Sequence, residues 1–140
     1  MSISSSEQSN YDQDYYTYHL DLLTAFSAQL KDLPPFNLEN PSEEDLEFLT
    51  AITQLPSEAD KPGFLDNGQI LLCRVVSSYP HLMPLLYRDL LWFFGGDCLH
   101  FMPDEEIAIF QALDEERELA RQQQIPFSYK EARAKRLGMH

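Results

Sequence analysis

The residues best suited to chemistry follow a Gly-Gly break, in the segment DCLH at residues 97–100. Cysteine, histidine and carboxylate side chains are the ligands that zinc and similar metals select. A thiolate–imidazole contact between Cys98 and His100 would instead supply a nucleophile. The alternative interpretation is structural, with Cys98 a small buried side chain and Asp97 or His100 the cap of the next helix. Because no HExxH, CxxC or second Cys or His pair is present, we assign no metal.

Arg74, Arg88 and Asp89 are charged residues that interrupt the most apolar stretches of the chain. A charge in such a setting needs a partner or a path to water. We therefore expect Asp89 or Asp97 to form an ion pair with Arg74 or Arg88, inside the protein or at its edge. A small polar pocket is the functional alternative. This candidate polar site comprises Arg74, Arg88, Asp89, Asp97, Cys98 and His100.

Patterns typical of cofactor sites and of nucleophilic hydrolases are missing. Gly95-Gly96 lacks the further glycines, the lysine and the preceding strand of a phosphate-binding loop. No Gly-x-Ser-x-Gly motif occurs. We therefore assign no catalytic residue and expect no cofactor.

The elements that position these residues are predicted to be helices, because apolar residues recur at steps of three or four. Prolines 34, 56 and 80 end three of them. Start signals stand at residues 40–42, at residues 103–106 and at Ser128, where Glu131 completes a capping box. Helices are predicted at about 12–32, from 40–42 to 55, at 66–79 and 83–94, from 103, and at 128–137.

The predicted fourth helix is apolar on nearly every side. Such a helix lies in the centre of a bundle or is covered by another subunit. Large rings and methionine are enriched at interface centres, and a small bundle has little room for so many of them. We predict an interface, in a homodimer or with a partner, formed by Tyr87, Leu91, Trp92, Phe94, Phe101 and Met102.

The net charge of −13 is concentrated in the first half of the chain, whereas the last residues are locally basic. A negative field repels nucleic-acid phosphates and anionic membrane surfaces, so neither is an expected partner. It favours a basic protein partner. The N-terminus lacks a secretory-signal pattern and no apolar run approaches the ~18 residues of a membrane span. With two cysteines, both taken as reduced thiols, these features favour the cytoplasm.

The sequence therefore predicts an all-α protein, a compact bundle of five to six helices in a single domain. Residues 1–10 form a flexible tail, 11–126 the bundle and 127–140 a basic C-terminal helix. The preferred function is non-enzymatic binding of another protein, as an adaptor, regulator or chaperone-like protein. One alternative is a small enzyme or ligand-binding protein with its site at Asp97, Cys98 and His100. Another is an acidic mimic of nucleic acid.

Overall fold

The computed structural model describes residues 5–138, which form six α-helices and contain no strand. The predicted all-α class is thereby confirmed. Short 3-10 turns occupy 55–58, 80–85 and 96–101. None of the helices described is both long and apolar enough to cross a bilayer. The helices are α1 (Ser5–Leu30), α2 (Glu43–Gln54), α3 (Phe64–Ser78), α4 (Arg88–Phe94), α5 (Asp104–Gln123) and α6 (Tyr129–Arg136).

The described residues divide into two compact units. Residues 20–101 form the central unit. Residues 5–19 and 102–138 belong to the terminal unit. The first helix begins at Ser5, well before the predicted start near residue 12. The basic helix α6 belongs to the same unit as α5 and the start of α1.

Side chains from α1, α5 and α6 pack together in the terminal unit. His19 is fully buried, and its Nδ1 lies 2.7 Å from the carbonyl oxygen of Tyr15. Tyr129, at the start of α6, packs edge-on against Tyr15 with ring centroids 5.2 Å apart. The guanidinium of Arg117 stacks 4.0 Å from the centre of the Tyr15 ring. The second half of α5 therefore contacts α1.

Side-chain caps fix the start of two helices. Ser42 Oγ accepts a hydrogen bond of 3.1 Å from the backbone N–H of Asp45, so Ser42 is the residue of the start signal at 40–42 that caps α2. Ser128 Oγ accepts an equivalent bond of 3.2 Å from the N–H of Glu131. Both starts follow from residues visible in the sequence.

The predicted fourth helix over 83–94 is wrong in its first half. Residues 80–85 form a 3-10 turn, and Leu86 and Tyr87 are extended. Helix α4 begins only at Arg88 and ends at Gly95, where φ is +67°.

Two aliphatic residues in apolar stretches of the helices, Leu46 and Ile70, face water. Leu46 on α2 is 46% exposed and Ile70 on α3 is 65% exposed. Helix α3 buries Gly68 and Leu72, four residues apart. Since Ile70 lies midway between them, about half a turn from each, it points away from the core. Leu46 has the same relation to the buried Phe48.

Candidate binding surface on the central unit

Helix α3 presents an exposed apolar side chain between two grooves. Ile70 belongs to the walls of both, and we call it with these grooves the α3 surface. The first groove has a volume of about 260 Å³ and is lined by Ala51, Gln54, Leu55, Glu58, Asn67, Ile70 and Leu71. The second, of about 470 Å³, is lined by Gln69, Ile70, Cys73, Arg74, Ser77, Asp97 and Phe101.

Gln69 joins α3 to the segment that follows α4. Its side-chain Nε2 donates a 2.8 Å hydrogen bond to the carbonyl oxygen of Phe94, the last residue of α4. This bond satisfies a carbonyl that the helix end leaves without an intrahelical donor. Gly96 lies against the same amide, since a Cβ there would approach Gln69 Oε1 to 2.6 Å. Gln69 on α3 therefore supports the segment that forms the other wall of the second groove.

Arg74 supports α2. Its Nη2 donates to the backbone oxygen of Glu44 at 3.3 Å, and its guanidinium carbon lies 5.5 Å from the centre of the Phe48 ring. Arg74 therefore contacts a carbonyl oxygen and an aromatic ring of α2, and the ion pair predicted for Asp89 or Asp97 with Arg74 or Arg88 stays a prediction. The planar guanidinium suits both contacts.

A buried tyrosine also connects α2 with the end of α3. The hydroxyl of Tyr79 donates to Asp45 Oδ1 at 2.6 Å. This hydrogen bond, with a smaller contribution from Ser42, lowers the pKa of Asp45 below 3.8. Burial, and then the same bond, raises the pKa of Tyr79 to about 12. At neutral pH the pair therefore exists as carboxylate and phenol.

Asp97, Cys98 and His100 do not converge on one point. Cys98 is fully buried, and its Sγ lies 3.8 Å from the carbonyl oxygen of Gln69. Asp97 and His100 are exposed, and Asp97 lines the second groove. Burial, followed by the neighbouring Cys73 and Asp97, raises the pKa of Cys98 to about 12. The thiol is then protonated at neutral pH, which disfavours the nucleophile considered from the sequence.

The other two members of the predicted polar site lie on α4. Asp89 is fully buried, and Arg88 Nη2 donates a 2.8 Å hydrogen bond to the carbonyl oxygen of Phe101. Arg88 thereby ties the start of α4 to the end of the 3-10 turn at 96–101. Within residues 5–138, no group of three or more His, Cys, Asp or Glu side chains is placed to hold a metal ion.

Half of the predicted interface residues are core residues in this structure. Leu91, Phe94 and Met102 are 0%, 3% and 5% exposed. Phe94 packs against Phe64 and over Gly68, whose missing side chain leaves room for the ring. Tyr87, Trp92 and Phe101 are half-buried, and of the six predicted residues Phe101 is the one that lines a groove of the α3 surface.

The chain belongs to the PA2817-like family, whose model matches residues 11–140. No curated protein and no solved structure matches it significantly. The function is therefore inferred from the geometry and charge of the chain itself.

Proposed function

We propose that this protein works by binding another protein, without catalysing a reaction, and that the α3 surface is its binding site. The observation that carries the proposal is the position of Ile70, 65% exposed between two grooves. A single exposed apolar residue is ordinary on a protein surface. With a groove on each side, however, it offers a partner both an apolar anchor and places for neighbouring side chains.

The charges of the central unit favour a basic partner. Residues 20–101 contain twelve acidic and four basic residues. Two of the four, Arg74 and Arg88, donate to backbone carbonyls within the unit. The grooves themselves carry Glu58 and Asp97. A segment with an apolar side chain flanked by lysine or arginine would complement this surface, and charge would mainly accelerate its association.

A second copy of the chain is the competing occupant. It would bring two acidic surfaces together, so the charge favours a different, basic protein. The homodimer was predicted from the large apolar residues of α4 and the loop after it. Two of them, Leu91 and Phe94, are buried. We further propose that the protein acts in the cytoplasm, where free thiols such as Cys73 and Cys98 persist.

Site-specific photo-crosslinking tests the proposal. A photoreactive amino acid replaces Ile70 in the full chain expressed in its native host. The same replacement at Leu119, 51% exposed in the terminal unit, is the matched control. We expect one defined adduct at position 70 that contains a protein with a basic segment, and none at 119. An Ile70→Glu variant should fold normally, because the side chain faces water, but should no longer compete for that partner.

Three results would overturn the proposal. The first is no adduct at position 70, and the second is the same set of adducts at positions 70 and 119. The third is an Ile70→Glu variant that competes as well as the original chain. An adduct of twice the chain mass would contradict the basic partner and identify a second copy as the occupant.

A further inference from the structure

Cys73 lines the second groove, and Cys98 is buried next to the same stretch of α3. Cys98 Sγ lies 3.8 Å from the carbonyl oxygen of Gln69. That carbonyl is also the helical acceptor for the backbone N–H of Cys73, four residues further along α3. The Cys98 sulfur therefore lies beside the turn of α3 that carries Cys73, and Cys73 is close enough to contribute to the raised pKa of Cys98.

The two thiols differ in their access to solvent. Cys73 is half-buried and lines the second groove. Cys98 belongs to the 3-10 turn at 96–101, and its side chain is fully buried. A reagent that enters the groove reaches Cys73 first, whereas Cys98 can react only with a sulfur already attached to Cys73. A partly accessible thiol that reacts first, beside a buried thiol that resolves the mixed disulfide, is an arrangement suited to thiol–disulfide exchange.

We propose that Cys73 and Cys98 form a reversible disulfide by exchange with a low-molecular-weight disulfide such as oxidised glutathione. The Cys73 thiolate attacks one sulfur of the reagent, which releases one thiol and leaves a mixed disulfide on Cys73. Cys98 then attacks the Cys73 sulfur while its proton passes to the departing sulfur of the reagent, which leaves as the second thiol. Two protein thiols are oxidised, one disulfide reagent is reduced to two thiols, and no other reactant is needed.

The local backbone can accommodate the bond. The Cys98 sulfur, which lies beside the turn of α3 that carries Cys73, must come within about 2 Å of the Cys73 sulfur to form a disulfide. Cys98 lies in a 3-10 turn, whose hydrogen bonds are weaker than those of an α-helix. Gly95 and Gly96, with φ of +67° and +55°, lead into that turn. A small shift of the turn toward α3 would bring the sulfurs together without a change in the helix.

The bond would join α3 to the turn that carries Asp97 and Phe101, and these two elements form the wall of the second groove. Oxidation would therefore change the shape of one half of the α3 surface. This consequence rests on the proposed function. The exchange reaction does not, because it depends only on the proximity of the two thiols.

The experiment uses the purified full chain in buffers of reduced and oxidised glutathione, with acid quenching, intact-mass analysis and mapping of the linked peptides. We expect an intramolecular disulfide in the monomer that a reductant reverses. At a given buffer ratio, the folded chain should contain about tenfold more of this disulfide than the chain unfolded in urea, because folding holds the thiols together. Cys98→Ser should stop at a glutathione adduct on Cys73, and Cys73→Ser should acquire no adduct.

The proposal is overturned if the folded chain keeps two free thiols or accumulates the Cys73 adduct, in each case at a buffer ratio that oxidises the unfolded chain. An adduct on Cys98 in the Cys73→Ser variant also contradicts it, because Cys98 is then not shielded. Circular dichroism confirms that each variant is folded. The crosslinking experiment at Ile70 is independent of these results, so the disulfide and the binding surface can fail separately.

Discussion

Substitution of Gly68 by alanine tests the contact between α3 and α4. A Cβ at this position would overlap three atoms of the Phe94 ring. The ring has little room to move, because Phe64 and Phe93 pack against it with centroids 5.3 Å and 5.1 Å away. Overpacking of this kind costs about 1–3 kcal/mol, and we take the upper end because the ring is enclosed.

The net effect is smaller than the overlap alone. Alanine is favoured over glycine in a helix by about 1 kcal/mol, so Gly68→Ala should lower the free energy of unfolding by about 2 kcal/mol. With an unfolding entropy of about 2.1 cal/mol/K per residue, this corresponds to a fall in Tm of about 7 °C. Calorimetry and urea unfolding measure the two quantities.

A double-mutant cycle isolates the contact from other effects of the substitution. Phe94→Leu removes the ring atoms that the new Cβ would meet. In that background Gly68→Ala should cost less than 1 kcal/mol or become stabilising through helix propensity alone. An unchanged Tm for Gly68→Ala, or the same cost in both backgrounds, would refute the argument.

Further predictions concern the polar contacts of α2, α3 and α6. Tyr79→Phe should raise the pKa of Asp45 toward 3.8, as followed by NMR, because the hydrogen bond that lowers it is lost; an unchanged pKa would contradict this. The stability that Asp45 contributes is present above pH 3.8 and lost as the pH falls through its lowered pKa. Tyr79 contributes stability fully below pH 10.0, and this is lost as the pH rises through about 12, so alkaline unfolding should begin later in Tyr79→Phe. Ser42→Ala and Ser128→Ala should each lower the free energy of unfolding by about 1 kcal/mol through loss of a cap, and the corresponding aspartate variants, which keep the acceptor, should not.

The ends of most helices could be predicted from the sequence, because each is set by a few neighbouring residues. Pro103 and the acidic turn after it place the start of α5 correctly, and Ser128 with Glu131 places the start of α6. Glu118 and Arg121, three residues apart on α5, form an ion pair that helical spacing allows. Such signals depend on local backbone chemistry, which does not require the rest of the chain.

The burial of individual apolar residues could not be predicted in the same way. Ile70 lies in an apolar run, so composition alone gives it no distinct role, and its exposure depends on which face of α3 the rest of the unit covers. The contact of Cys98 with Gln69 joins residues far apart in sequence. The sequence singles out residues 97–100 as a candidate site, but no local pattern in it indicates that this segment contacts Gln69 on α3.

The two bonds of Gln69 have a consequence for local motion. Its side chain holds the end of α4, and its carbonyl receives the thiol of the following turn. Amide protons of residues 94–101 should therefore exchange with deuterium in step with those of the middle of α3, as one cooperative opening unit. Replacement of this glutamine by alanine would remove the side-chain bond and keep the carbonyl, so residues 94–101 would be less strongly coupled to α3 and would exchange earlier than the helix.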